Sequence, residues 1–329
     1  MRHSFFAIAT VASLGMFACV GDDPTTTPTL SDGGAADATA TDAGPADAGP
    51  SDAAPTDAGP TDAGPKPPFS PTALPAIALW LDASNVTLAN GKIATWSDSS
   101  GVQPTPIRLL PVTSSTLTFT APTPDSVLAG GGRVPVPTVR FTQTTQTFQA
   151  MVLQSAGDRL DFGTGDLAAE VVVSVSDTNS ANLGAVLLKN KVVSPFDGLQ
   201  LYANYPNVVR GNDLHGMVGG GLGGENSSNL KPTANDAVAT HDGKLHLIGF
   251  RRVNGRVSLR YDGKELAFAT PPPNALVNAT NALPFYVGGS PTGQHAVSMQ
   301  IADIVILKGT HTDDELTALE SFLKSKDKL

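Results

Sequence analysis

A single cysteine, Cys19, occurs in the 329 residues of the chain. No disulfide can therefore form within one copy, and whatever folds must be held by its apolar core. Basic charge is scarce too, with 21 Lys and Arg against 30 Asp and Glu and a formal net charge of −9. The deficit sits near the start. Nine acidic residues lie between Asp22 and Asp62, whereas from Lys66 onward 20 basic and 21 acidic residues leave about −1. A nearly neutral folded part without a basic stripe excludes nucleic-acid binding by counterion release, which needs many Lys or Arg contacts to phosphate. Aromatic residues make up only 6% and charged residues 16%, beside 33 Gly and 26 Pro. That balance excludes an ordinary helical enzyme and points to turn-rich β structure. Long apolar runs are also missing. The most prominent, Phe5 to Ala18, has fourteen residues, too few to span a bilayer as a helix.

That run follows Arg2 and matches the core of a signal peptide. Cys19 comes next, and polarity then rises through Val20-Gly21-Asp22-Asp23. The passage resembles the lipobox of bacterial lipoproteins, in which the cysteine becomes the lipidated first residue of the mature chain. The resemblance implies a lipoprotein signal peptide over residues 1–19 and lipid attachment at Cys19. With Val20 after the cysteine, it also implies export to the outer membrane or cell surface of a Gram-negative bacterium. Met16 and Phe17 stand where the family prefers Leu and a small residue. An ordinary cleaved signal with an incidental cysteine is the other reading.

Residues 20–68 form a linker. Large apolar side chains are almost absent, and a five-residue pattern recurs, as in Thr41-Asp42-Ala43-Gly44-Pro45 and Thr61-Asp62-Ala63-Gly64-Pro65. With so little apolar area to bury, nothing offsets the entropy of ordering, so the segment is expected to be disordered. Regular proline and like charge keep such a chain extended, as a stalk of about 100 Å at full stretch. A neutral low-complexity expansion has the same composition.

Residues 69–329 carry the folded domain. Ala76-Ile77-Ala78-Leu79-Trp80-Leu81-Asp82-Ala83 is a short apolar run ended by Ser84-Asn85, and Lys92 to Trp96 is a second. In Ala169 to Val175, residues Val171, Val173 and Val175 share one face. From His246 to Phe268, Asn254-Gly255 and Asp262-Gly263 divide β-prone runs and predict a three-stranded meander. Val257, Leu259 and Tyr261 alternate there with Arg256, Ser258 and Arg260, giving one buried and one wet face. Two further strands are expected around Phe285 to Gly289 and Met299 to Leu307. A helix then opens on the capping box Thr312-Asp313-Asp314-Glu315, with Leu316, Leu319, Phe322 and Leu323 at helical spacing and Lys324, Lys326 and Lys328 at its end. The segments "LWLDAS", "GKIATWSDSSG", "DRLDFGTGD", "LHLIGFRRVNGRVSLRYDGKELA" and "IADIVIL", in this order, resemble the laminin-G-like and concanavalin A-like modules. The resemblance implies an all-β fold, a jelly-roll β-sandwich of two antiparallel sheets with a short C-terminal helix.

Motifs for chemistry are sparse. Glycosidases on this fold use closely spaced carboxylates, because acid and nucleophile flank one glycosidic bond about 5 Å apart. Their Glu-x-Asp-x-x-Glu pattern is absent, and only Glu170, Glu225, Glu265, Glu315 and Glu320 are available. Glu170 is expected on the solvated face of its strand. His215, His241, His246, His295 and His311 form no HExxH and read as surface or edge residues, with His241 in a turn and His246 opening a strand. Gly219 to Gly224 matches GxGxxG, yet Glu225-Asn226-Ser227-Ser228-Asn229 begins no helix, so a long loop from Gly211 to Lys231 is expected instead. Some laminin-G-like modules hold calcium through loop aspartates, and Asp98, Asp158, Asp161 and Asp166 are of that kind. Turns use aspartate for local hydrogen bonds as well, so no metal and no cofactor is assigned.

Sugar binding needs exposed aromatic platforms beside amides or carboxylates. Trp80 and Trp96 fall in apolar strands and belong to the core, which leaves Tyr202, Asn204, Tyr205 and Asn207 as the candidate ligand-binding residues. A strand end with a Pro-Asn turn is the competing account of that stretch. The resulting expectation is a non-catalytic binding module for a glycan or cell-surface protein, held to the membrane by its lipid only. A structural or interaction component of the envelope without a small ligand is the alternative, and a polysaccharide hydrolase ranks last.

Overall fold

The computed structural model describes residues 68–329 except 103–107, 115–116, 145–146, 154–156, 177–182, 191–197, 208–210, 220–228, 231–239, 270–277, 294 and 296. Cys19, the signal segment and the linker up to residue 67 lie outside the described residues. In chain order the strands are β1 (Ile77–Ala89), β2 (Lys92–Asp98), β3 (Arg108–Pro111), β4 (Thr118–Phe119), β5 (Thr123–Ala129) and β6 (Val134–Phe141). Next come β7 (Thr147–Phe148), β8 (Met151–Leu153), β9 (Leu167–Val175), β10 (Gly184–Asn190), β11 (Gly198–Asn207) and β12 (Gly211–Gly219). The last are β13 (Asn229–Leu230), β14 (His246–Val253), β15 (Arg256–Tyr261), β16 (Lys264–Ala269), β17 (Phe285–Val287) and β18 (Met299–Lys308), followed by helix α1 (Asp313–Asp327).

These strands build the expected all-β, two-sheet architecture. The first sheet runs β16-β15-β14-β9-β18-β1-β2, and the β5-β6 hairpin is set against β18. The second runs β13-β12-β11-β10-β17-β8-β3. Because β3 pairs with β2 as well as β8, the two sheets join along one border. All of these pairings are antiparallel, and among the described residues only the small β4-β7 ladder is parallel.

The main core is made where the inner faces meet. Leu167, Ala169, Val171, Val173 and Val175 of β9 point into it with Ile301, Ile304 and Ile306 of β18, Phe250 of β14, and Leu199 and Leu201 of β11. Trp96 is fully enclosed there. Each such large side chain contributes about 1.5–3 kcal/mol on burial. The first sheet is buried on its outer side too. Ala168, Val172, Val305 and Leu307 point outward, and Leu316, Leu319 and Leu323 of α1 lie on them. This double burial is why β9 has nine consecutive buried residues, where a one-sided strand alternates. Trp80 belongs to this outer layer, with Phe322 edge-on to its ring at 5.9 Å.

Helix α1 begins as its sequence requires. Thr312 Oγ1 accepts from the Glu315 amide while the Glu315 carboxylate accepts from the Thr312 amide. The two predicted hairpin turns are present, with left-handed backbone at Asn254 and Gly255 (φ 49° and 77°) and at Asp262 and Gly263 (φ 49° and 84°). Asn90-Gly91 makes a third turn of this kind between β1 and β2.

Four expectations are corrected. Strand β1 does not end at Ser84-Asn85 but continues to Ala89, the ladder to β2 slipping between Leu81 and Val86. Asp82 holds that irregular stretch by accepting from the Ser84 amide and hydroxyl. The proposed loop from Gly211 to Lys231 contains β12 and β13, because β11 offers a paired edge along Gly198–Asn207. The wet face of β15 is largely closed, with Ser258 buried and Arg260 bonded to Glu320 of α1. Glu170 is not solvated either. It is fully buried, because helix α1 covers that face of β9.

Candidate functional site

The outer face of the second sheet has no helix on it among the described residues, and its side chains meet across the strands. One row passes in register from Met217 of β12 through Gln200 of β11, Leu188 of β10 and Tyr286 of β17 to Val152 of β8 and Leu110 of β3. A second row places His215 opposite Tyr202 and Tyr202 opposite Ala185. Residues on these outer positions alternate with the inward Leu199, Leu201 and Val186 of the core.

The polar centre of the face is a chain of hydrogen bonds. Tyr202 Oη donates to Gln200 Oε1 at 2.5 Å and lies 3.1 Å from His295 Nδ1. A phenol has one proton, so with that proton on Gln200 the Tyr202 oxygen accepts, and Nδ1 of His295 carries the hydrogen. Burial disfavours the charged imidazolium and lowers the His295 pKa. A neutral ring protonated on Nδ1 leaves Nε2 as an acceptor. The ring of His215 stacks on Tyr202 at 5.8 Å and 19°, and His295 lies against the same ring at 5.7 Å. At the other end, Nε2 of the buried Gln200 has no hydrogen-bond partner among the described residues. The nest thus has an acceptor on half-buried His295 and a spare amide donor beneath it. Half-buried Tyr286, Met217 and Leu183 border it.

Of the four residues named from sequence, Tyr202 lies in this nest, but it is not the exposed platform expected. It is 2% exposed, because Leu188, Ala185 and the histidines close around it. Asn204, Tyr205 and Asn207 continue along β11, opposite Gly184, Asp213 and Gly211 respectively. Their side chains lie outside the described residues, and the stretch is a paired strand through Asn207 rather than a terminal turn. Gln200 and His295 were missed. Their signals were a glutamine at an outward position of an otherwise apolar strand and a histidine in a Gly/Ser/Thr-rich connection.

The other chemical candidates are tied into structure. Arg251 bridges Glu170 of β9 and Glu320 of α1, and Arg260 bonds Glu320 from the side at 2.7 Å. Burial raises the Glu170 carboxyl despite Arg251, whereas Arg260 and Arg251 hold Glu320 low against its own burial. Opposite Glu170 stands Gly249, where a Cβ would meet the carboxylate at 2.5 Å, so only glycine leaves room for this charge. His246 is held between Asp262, 2.8 Å from Nδ1, and Asp242, 2.9 Å from Nε2, and stacks on Tyr261 at 4.7 Å. Although burial opposes its charge, the two carboxylates raise its pKa.

Two of the four rim aspartates, Asp98 and Asp166, are likewise in use, whereas Oδ1 of Asp161 has no hydrogen-bond partner among the described residues. Asp98 accepts from the amides of Trp80 and Ser100 and pairs with Arg159 at 3.0 Å. Asp166 accepts from the Asn254 amide at 2.8 Å. The loop carbonyls of Gly163 and Gly165 already receive the Arg252 guanidinium, and that of Asn281 receives Lys189. Protein cations therefore already occupy these three loop carbonyls. Among the described residues, no group of three His, Cys, Asp or Glu side chains is arranged to hold a metal ion.

The fold and this face define a two-layer antiparallel β-sandwich whose second sheet bears a histidine–tyrosine–glutamine nest. No protein-family model matches the chain, and no curated protein matches it. Among solved structures, the binding domain of Paraclostridial Mosquitocidal Protein 1 is similar at a TM-score of 0.48 and 12% identity, over 75% of this chain and 52% of that one. The binding domain of botulinum neurotoxin DC in complex with rat synaptotagmin II gives 0.49 and 11%, over 75% and 52%. The same domain in complex with SialylT gives 0.48 and 11%, over 77% and 52%. The chain thus spans about half the length of these structures. Likeness at this level assigns it neither family, ligand nor site.

Proposed function

We propose that this chain is an exported, lipid-anchored, non-catalytic binding module that recognises a glycan or surface protein at the cell envelope. In this reading residues 1–19 direct export, Cys19 carries the lipid, residues 20–68 act as stalk and residues 69–329 bind. The observation that carries the binding role is the relay His295–Tyr202–Gln200, which fixes a neutral imidazole with Nε2 as acceptor on the half-buried outer face of the second sheet. Such an acceptor, bordered by Tyr286 and Met217, suits a ligand hydroxyl or amide proton. Glu170 supports a non-catalytic role, since Arg251 and α1 enclose the carboxylate that a hydrolase would need in the open.

The test is binding of the full chain to immobilised glycans and to purified envelope proteins, with Tyr202→Phe and His295→Ala compared. Loss of the hydroxyl frees the imidazole, and both variants are expected to bind about tenfold more weakly at unchanged fold. Equal binding by both removes this face as the site, and turnover of a polysaccharide by the wild type overturns the non-catalytic reading.

A further inference from the structure

The first sheet also carries an aromatic ring at the surface, on its edge strand. Of the large apolar side chains that stand mostly exposed among the described residues, Phe268 of β16 is the only aromatic, at 62%. A lone exposed apolar residue is ordinary. Phe268 differs in being held. The Arg256 guanidinium lies over its ring, 4.4 Å from the centroid, and is itself forked on Glu265, with Nη1 2.7 Å from Oε2 and Nη2 2.5 Å from Oε1. A planar guanidinium bonded bidentately on one side and stacked on a ring on the other makes a fixed unit of three side chains. Since Arg256 occupies one face of the ring, the exposed area is the opposite face and the edge.

We infer that Phe268, Arg256 and Glu265 form a contact site for a neutral saccharide. A pyranose ring has an apolar C–H face rimmed by hydroxyls. The free side of Phe268 matches that face, while Arg256 and Glu265, both still partly exposed, supply a donor and an acceptor beside it. Charge selects against other ligands. An acidic group would compete with Glu265 for Arg256 and a basic group would break the same pair, whereas a neutral polyol disturbs neither. The inference rests on the binding role proposed above and lies on the other sheet from the Tyr202 nest.

The experiment titrates the full chain with soluble neutral hexasaccharides of gluco, galacto, manno and xylo configuration, following ligand saturation-transfer signals and affinity. Wild type is expected to bind at least one of them. Phe268→Ala should weaken that binding about tenfold, Phe268→Trp should keep it, and Glu265→Gln should weaken it about threefold. Because the ring is exposed, the melting temperature of Phe268→Ala stays at the wild-type value. Sugar binding unchanged in Phe268→Ala removes this contact and leaves the binding role in place. Binding to a purified envelope protein with none of the hexasaccharides bound removes the saccharide inference alone. Binding to neither class removes both.

Discussion

The two outer faces of the sandwich solve the same problem in opposite ways. On the first sheet, helix α1 lays Leu316, Leu319 and Leu323 on outward apolar residues and closes the polar gaps with Arg251, Glu320 and Arg260. On the second sheet no such helix is present among the described residues, and Tyr202 bonds Gln200 and His295 and stacks on His215. Charged pairs under a helix lock one geometry, and Oε2 of Glu170, which has no hydrogen-bond partner among the described residues, is sealed beneath that cover. The neutral rings leave Nε2 of half-buried His295 as an acceptor, while the spare Gln200 donor stays buried. The comparison teaches that cover by a helix, and not the number of charges, decides which spare polar atoms stay within reach.

The comparison is broken most severely at Arg251. Arg251→Ala should lose about 4 kcal/mol in denaturant unfolding, since it strands the buried Glu170 charge. Replacing both partners, Glu170→Leu with Arg251→Met, should recover most of that loss. A loss below about 1 kcal/mol in the single variant would show that the pair does not lock the helix. Leu319→Ala comes next, at about 3 kcal/mol, with binding at the Tyr202 nest unchanged because the helix lies on the other sheet. Tyr202→Phe should cost only about 1–2 kcal/mol, leaving Gln200 Oε1 without its donor, yet it should weaken binding. A stability loss with binding intact would make the nest a packing feature.

The smallest effect separates the faces by pH. His246 of the first sheet has its pKa raised above 6.5 by Asp262 and Asp242 against burial, so its contribution is complete below pH 6.5 and fades as pH rises through the folded value. His295 of the second has its pKa lowered by burial, so its contribution is complete above 6.5 and fades as pH falls. Thermal melts across pH 5 to 8.5 should therefore lose their alkaline decline in His246→Gln and their acid decline in His295→Gln, each by less than about 1 kcal/mol. Matching pH profiles for wild type and both variants would overturn the assignment. Binding that depends on His295 Nε2 should weaken on the acid side alone.

Local chemistry made much of the fold legible. Asn254-Gly255 and Asp262-Gly263 dictate left-handed turns wherever they stand, and the capping box of α1 needs only four consecutive residues. Val171, Val173 and Val175 could be placed together because a strand alternates. Glu170 could not be placed. Its neighbours in sequence are those of a half-wet strand, and it is buried only because a helix more than a hundred residues later covers it. For the same reason Tyr202 was legible as an aromatic near amides but not as an enclosed one, since Leu188 and His295 reach it from β10 and from a distant connection.

Sequence by itself determined the strands near Ile77, Lys92, Val171, Phe285 and Met299, the meander from His246 to Phe268 with its turns, the capped helix and the near-neutral charge of the folded part, because each depends on residues within a few positions of one another or on a simple sum. Which face is closed and which keeps a free acceptor was decided only in three dimensions. Burial, proton position on His295 and the pairing of Glu170 all depend on groups far apart in the chain, and their energies exist only once the sheets and α1 have brought those groups within hydrogen-bonding distance.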